Sequence, residues 1–236
     1  MNKPQKLGFY ITPEHACSYL KNRQAITLFA DPHFPMNRHI YTQLAQKGFR
    51  RSGEYLYKPY CDHCNACIPV RVPVNAFVMR KRHKRIWKNN RDLTIRVCSA
   101  DYDEPHFNLY RKYLKSKHPG GGMDNPDRKD YTAFLSSCWM DTTFYELNLD
   151  GRLLAVAVTD RLDDGLSAVY TFYDPGFSSR SLGIFSILYE IEQAKRMGLD
   201  WLYLGYWIAE CNKMNYKDQF RPLEYLYDND WIRDPA

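Results

Sequence analysis

The chain has 236 residues, 44% apolar and 15% aromatic, with a formal charge of +6 at neutral pH. That composition supplies one large core or two small ones and excludes a disordered chain. No run approaches the ~18 apolar residues of a membrane span, and the opening MNKPQKLGFYITPEH has no apolar signal-peptide core, so a cytoplasmic protein without a membrane partner is expected.

In chain order, YLYKPYCDHCNACIPVRVPV reads as short strands and turns, with Pro59, Pro69 and Pro73 limiting any helix. Next comes RKRHKRIWKNNR, Arg80 to Arg91, in which seven residues are Lys or Arg. Cations interleaved with Trp87 and held between ordered elements suit phosphate contacts and base stacking; the plain alternative is a solvated helix face. EPHFNLYRKYLKSKH and DYTAFLSSCWM are expected to be helical, separated by the loop HPGGGMDNP at 118–126, whose glycines allow unusual backbone angles and close approach of a ligand.

The second half predicts strands in FYELNLDG, RLLAVAVTDRL and LSAVYTFYDPG, then a helix. In SLGIFSILYEIEQAKRMGLD, Leu182, Phe185, Leu188, Ile191 and Ala194 recur at helical spacing, closed by Gly198, and WLYLGYWI returns as a strand. Strands, a helix after a turn and a further strand is the order of an acetyltransferase core. The expected fold is therefore α+β: a small N-terminal α/β domain, 1–100, and a C-terminal acetyltransferase-like (GNAT-type) α/β domain, 101–236.

Three further segments carry a resemblance. HACSYLKNRQAITLFADP, GFRRSGEYLYKPYCDHCNACIPVRVPV and the pair YTFYDPGFSSRSLGIFSILYEI with YLGYWIAECNKMNYKDQFRPLE together resemble the aminoacyl-tRNA–protein transferases, the arginyltransferase family. The compact bacterial branch is the most similar. That implies transfer of leucine from leucyl-tRNA to proteins beginning with Asp or Glu, which marks them for degradation in the N-degron pathway, with no DNA partner. Arginine as the donated group, or a CoA-dependent N-acyltransferase, are the alternatives, and a zinc-knuckle RNA-binding module is a third.

Such a reaction is aminolysis of an activated ester, so it needs neither ATP nor a covalent enzyme intermediate. It requires alignment of amine and ester, removal of an amine proton and stabilisation of a tetrahedral oxyanion. In residues 203–224, Tyr203 and Tyr206 are candidate catalytic hydroxyls, Lys217 a candidate catalytic cation and Glu224 a candidate proton acceptor, with Lys213 and Tyr216 as substrate contacts. At the start of the predicted helix, Arg180-Ser181-Leu-Gly183-Ile-Phe185 keeps part of the CoA-pyrophosphate pattern but puts bulky Phe185 where a small residue belongs, which disfavours CoA. Ser181 is then a substrate contact. The tRNA contacts expected are Arg80, Arg82, Lys84, Arg85, Trp87 and Arg180.

Seven cysteines in a reducing compartment argue against a disulfide framework. Cys61, Cys64 and Cys67, with Cys17 upstream and His15 or His63 as substitutes, have metal-ligand chemistry. Eukaryotic relatives carry Cys-x-x-Cys where this chain reads Cys17-Ser-Tyr-Leu20, so one family cysteine is missing. The expectation is no cofactor, with metal at Cys61, Cys64 and Cys67 kept as the alternative, and Cys17, Cys64 and Cys67 lining the acceptor pocket. An acidic acceptor calls for a bidentate cation; Arg50, Arg51 and Arg71 flank this segment, and Arg51 and Arg71 are the candidates for that role.

Overall fold

The computed structural model describes residues 6–117 and 125–233, so residues 118–124 of the glycine loop lie outside the described residues. The N-terminal part contains β1 (Phe9–Ile11), β2 (His15–Ala16), β3 (Gln24–Ala25), β4 (Thr27–Ala30), α1 (Arg38–Gln46), β5 (Arg50–Ser52), β6 (Tyr55–Pro59) and β7 (Ile68–Pro73). Then come α2 (Lys81–Asn89), β8 (Thr94–Ser99), α3 (Glu104–Lys117) and α4 (Arg128–Leu135). The remainder is β9 (Thr142–Leu149), β10 (Arg152–Arg161), β11 (Gly165–Tyr173), α5 (Leu182–Arg196), β12 (Trp201–Trp207), β13 (Glu224–Tyr227) and β14 (Asp230–Arg233). This is the expected α+β chain.

Local chemistry explains the boundaries. Asn37 accepts from the Ile40 amide at 3.0 Å to start α1, and Asp127 and Asp130 form a reciprocal capping box on α4. Gly198, at φ +66°, ends α5. Asp150 and Gly151, at φ +48° and +81°, supply the two positive-φ residues that a tight hairpin needs between β9 and β10.

An eight-stranded sheet runs β14-β13-β7-β12-β11-β10-β9-β8, and a smaller one runs β1-β4-β6-β5. β7 and β8, from before residue 100, are therefore strands of the same sheet as those from after it. Residues 154–160 are buried throughout because the sheet is covered on both faces. Phe144, Val156, Val158 and Phe172 pack on α3 and α4, whereas Leu147, Leu154 and Leu166 pack on α5; Leu154 and Val156, two apart, face opposite ways because the register shifts between Leu153 and Ala155.

One break in the sheet positions everything that follows. β11 and β12 are parallel and pair only over Gly165↔Trp201, Leu166↔Leu202 and Ser167↔Tyr203, although both strands continue. β10 and β11 shift register between Val158 and Thr159, and β12 and β7 between Tyr203 and Gly205. Such bulges increase local twist and bend a strand away from its neighbour. Beyond Ser167 and Tyr203 the two strands part and leave a wedge.

Candidate functional site

Arg50, on β5, sits at the apex of this wedge. Its Nη1 donates to Ser167 Oγ at 3.1 Å and to the Tyr203 carbonyl at 3.2 Å, and its Nη2 donates to the Ala168 carbonyl. The guanidinium therefore satisfies carbonyls that lose their ladder partners where the strands separate. The backbone of Gly205, at φ +77°, lies against it: a Cβ there would meet Arg50 Nε at 3.0 Å.

Lys217 is buried beside β12 and donates to the Tyr206 carbonyl and to Met214 Sδ. Burial, with the Arg50 charge adding to it, pushes the Lys217 ammonium down to about 7. Glu190, fully buried on α5, accepts from Thr159 Oγ1 at 2.6 Å through Oε1, while its Oε2 has no partner among the described residues. Burial lifts its carboxyl to about 7, against the Thr159 hydrogen bond and the Arg50 charge. Two groups beside the wedge apex thus exchange protons near neutrality, which is the pattern of a working site.

The thiols form the adjoining wall. Cys17, Cys64, Cys67, Tyr19 and Tyr57 pack on the buried cluster of Leu20, Tyr206, Ile208 and Cys211. Burial, then the neighbouring thiols Cys17, Cys61, Cys64 and Cys211, pushes Cys67 up to about 12. Cys61 Sγ is engaged with the Ile26 backbone, Cys64 Sγ accepts from Arg23 at 3.6 Å, and Cys17 Sγ accepts from the Leu20 amide at 3.4 Å. Among the described residues no three His, Cys, Asp or Glu side chains are grouped to hold a metal. His15 instead bonds Thr27 and the Ala16 carbonyl.

The expected residues divide into two groups. Tyr206, Lys217, Cys17, Cys64 and Cys67 come together. Tyr203, Arg71 and Glu224 form a separate ion-pair row across β12, β7 and β13: Arg71 Nε reaches Glu224 at 2.9 Å, and Arg71 stacks on Trp201 and Trp231 at 3.6 and 4.2 Å. Tyr203 donates to Asp164 at 2.9 Å. Glu224 also receives Arg233 at 3.2 Å, so both its oxygens are held by arginines, which corrects the expectation of a free proton acceptor. Arg71 is likewise spent on Glu224.

Arg51 needs the same correction. Its guanidinium pairs with Asp160 at 2.6 Å, both side chains are fully buried, and the remaining N–H groups go to Gly53, Leu135 and Thr142. No edge is left for a substrate. Tyr206 is also inward-facing, its hydroxyl donating to the Gly48 and Tyr57 carbonyls at 2.9 and 3.3 Å; a buried hydroxyl saturated by backbone holds β12 against the small sheet.

The basic run is α2, and it packs antiparallel to α5. His83 and Ile86 face the core, and the Trp87 ring packs on Phe185 with centroids 5.3 Å apart and planes tilted by 45°, which corrects Trp87 from base stacking to packing. Arg80, Lys81, Arg82, Lys84, Arg85 and Lys88 are exposed and have no acidic partner among the described residues. Arg180 grips Asp92 at 2.8 Å through both Nη atoms and the Asn89 carbonyl at 3.0 Å, which ties the end of α2 to the start of α5. Ser181, at φ +53°, opens α5 without a side-chain cap. Lys213 is exposed and its Nζ donates to the Lys117 carbonyl at 3.3 Å, while Lys117 Nζ lies 5.9 Å over the Tyr173 ring, and Trp207 Nε1 donates to the Asn215 carbonyl at 3.1 Å, next to Tyr216.

Sequence reasoning missed Glu190 and passed over Arg50 in favour of Arg51 and Arg71. Adjacent residues of a strand face opposite ways, so the pair Arg50-Arg51 had to serve two different partners. Glu190, four residues after the buried Ser186 and next to Ile191, fell on a helix stripe otherwise apolar.

Two surface cavities open as well, one of about 360 Å³ lined by Thr143, Tyr145, Arg161 and the Thr159 that bonds Glu190, the other of about 500 Å³ lined by Tyr10, Phe29, His33 and Tyr55. No helix among the described residues is long and apolar enough to cross a membrane.

Residues 15–85 match the family described as Arginine-tRNA-protein transferase, N terminus, and residues 105–227 its C terminus. A protein of Pseudomonas fluorescens named aspartate/glutamate leucyltransferase is 50% identical over 98% of this chain and 99% of its own. One of the same name from Alcanivorax borkumensis is 52% identical over 95% and 93%. Among solved structures, L-PGS from Bacillus licheniformis aligns over 60% of this chain and 45% of its own, at 14% identity and a TM-score of 0.47.

Proposed function

The chain belongs to the arginine-tRNA-protein transferase family, and we propose that it transfers leucine from leucyl-tRNA to the α-amine of proteins beginning with Asp or Glu, in the cytoplasm. The relatives named for that activity match it along nearly their whole length. Proteins so marked enter the N-degron pathway.

The observation that carries the reading is the placement of the wedge. Its apex holds Arg50 with Lys217 and Glu190 close by; its wide end opens by the start of α5, where α2 offers an exposed cationic face. A tRNA whose phosphates follow α2 delivers its 3′ end to the first turn of α5 and its aminoacyl ester into the wedge. The acceptor peptide enters on the thiol side.

The α-amine attacks the ester carbonyl carbon, a C–N bond forms, and the C–O bond to the ribose breaks, with the proton passing from nitrogen to the departing oxygen. Lys217, whose ammonium readily gives up its proton near neutrality, takes the amine proton and returns it to the ribose oxygen. An amine with pKa about 7 suits both halves of that exchange.

The experiment supplies labelled Leu-tRNA and Arg-tRNA to peptides starting with Asp, Glu, Arg or Ala, without ATP or CoA. Leucine on the Asp and Glu peptides only is the expected result. Arginine instead would keep the family and overturn the donor; no transfer from either tRNA by folded protein would overturn the reaction.

A further inference from the structure

Of the arginines around the core, Arg51, Arg71, Arg96, Arg152 and Arg180 each hold a carboxylate. Arg50 is different. It is 9% exposed, yet its hydrogen bonds go only to a hydroxyl and two carbonyls, and no carboxylate pairs with it among the described residues. A guanidinium offers five N–H donors; the Nε–H of Arg50 has no acceptor among the described residues.

Burying a cation without an anion is costly. Glu190 does not fill that role: a carboxyl paired directly with a guanidinium would be held below the ordinary range, whereas the Glu190 carboxyl is lifted to about 7. The Gly205 backbone lies against this side of Arg50, and only glycine fits there, since any Cβ would press on Nε at 3.0 Å and Cζ at 3.3 Å. The thiol and tyrosine wall adjoins the same point: Arg50 acts electrostatically on Tyr19, Tyr57 and Tyr206, which surround Cys67.

We propose that Arg50 is the specificity residue for the acceptor, its free Nε edge at the parting of β11 and β12 receiving the carboxylate of the peptide's first side chain. This rests on the proposed transfer reaction, because it assigns the acceptor to that site. An incoming Asp or Glu completes the missing ion pair with a charge-assisted hydrogen bond. An Asn or Gln leaves the guanidinium uncompensated, so discrimination comes from the cost of burying a cation without an anion. Lys217 then stands next to the α-amine that is bonded to the same residue's Cα.

The test uses Arg50→Lys and Arg50→Gln, with Leu-tRNA and peptides starting with Asp, Glu, Asn or Gln, and a melting curve for each variant. The expected result is a rise in KM for the Asp peptide of about thirtyfold or more in R50Q, a much smaller change for the Asn peptide, and an intermediate loss in R50K. A folded R50Q that keeps the wild-type Asp-over-Asn ratio would overturn the proposal. Should neither variant fold, the wild-type protein decides by NMR: shifts of the Arg50 Nε–H and the Gly205 amide on adding Asp peptide but not Asn peptide support it, and no such difference sinks it. Absence of leucine transfer by the wild type would remove the reaction, while the NMR arm still reports whether Arg50 binds a carboxylate.

Discussion

Arg51 Nε lies 2.6 Å from Asp160 Oδ2, with both side chains fully buried. This pair links β5 of the small sheet to β10 of the large one, and Arg51 also reaches the Leu135 carbonyl at the end of α4. Removing one partner strands the other charge. Arg51→Met and Asp160→Asn are each expected to destabilise the fold by about 3–5 kcal/mol, read by denaturant unfolding. A stable R51M with only a raised KM for acidic peptides would return Arg51 to substrate binding.

The Lys217 ammonium is driven from an ordinary 10.5 to about 7 in the folded chain. Between those values the unfolded chain binds more protons than the folded one, so the stability cost of Lys217 is complete below pH 7 and fades as pH rises toward 10.5. Lys217→Met should therefore raise the melting temperature at pH 6 and bring little gain at pH 10, while abolishing leucine transfer. In the wild type, transfer should climb as pH rises through about 7. A flat profile between pH 6 and 8, with chemistry rate-limiting, would exclude Lys217 as the proton acceptor.

Cys67 is predicted to be inert. Its thiol is pushed up to about 12 by burial and by the surrounding thiols, and alkylation needs the thiolate. At pH 8 iodoacetamide should modify exposed Cys138 well before Cys67, as read by peptide mass spectrometry. Rapid labelling of Cys67, or its protection only while a metal is bound, would mean a thiolate and would reopen metal ligation by Cys61, Cys64 and Cys67.

The exposed face of α2 should set tRNA affinity without setting stability. Arg82→Gln and Arg85→Gln, singly, are expected to weaken Leu-tRNA binding and lower the steepness of the log–log salt dependence by about one each, with melting temperatures unchanged. Arg180→Gln differs, because it also releases Asp92 and the end of α2; it should weaken binding and loosen the α2–α5 junction together. Unchanged salt slopes in R82Q and R85Q would move the tRNA path off this helix.

Much of this architecture was legible in the residues because it is written in local periodicity. Apolar runs bounded by Asp150-Gly151 and Asp174-Pro-Gly could only be strands, and the 3.6-residue recurrence from Leu182 to Ala194 could only be a helix. The basic run and the segment 203–224 stood out for the same reason, since composition is visible without a fold. What a side chain's charge is spent on is not local. Arg71 meets Glu224, and Arg51 meets Asp160, across 153 and 109 positions of chain, and no spacing rule announces such partners.

Sequence by itself thus determined the class of fold and the family. Tertiary structure alone decided which of Arg50, Arg51 and Arg71 is without a carboxylate among the described residues. Arg50 and Arg51 are adjacent and chemically identical, yet strand alternation turns one to Asp160 and the other to the parting of β11 and β12. The difference lies in what burial and distant partners do to the same charge, and those exist only once the strands are paired.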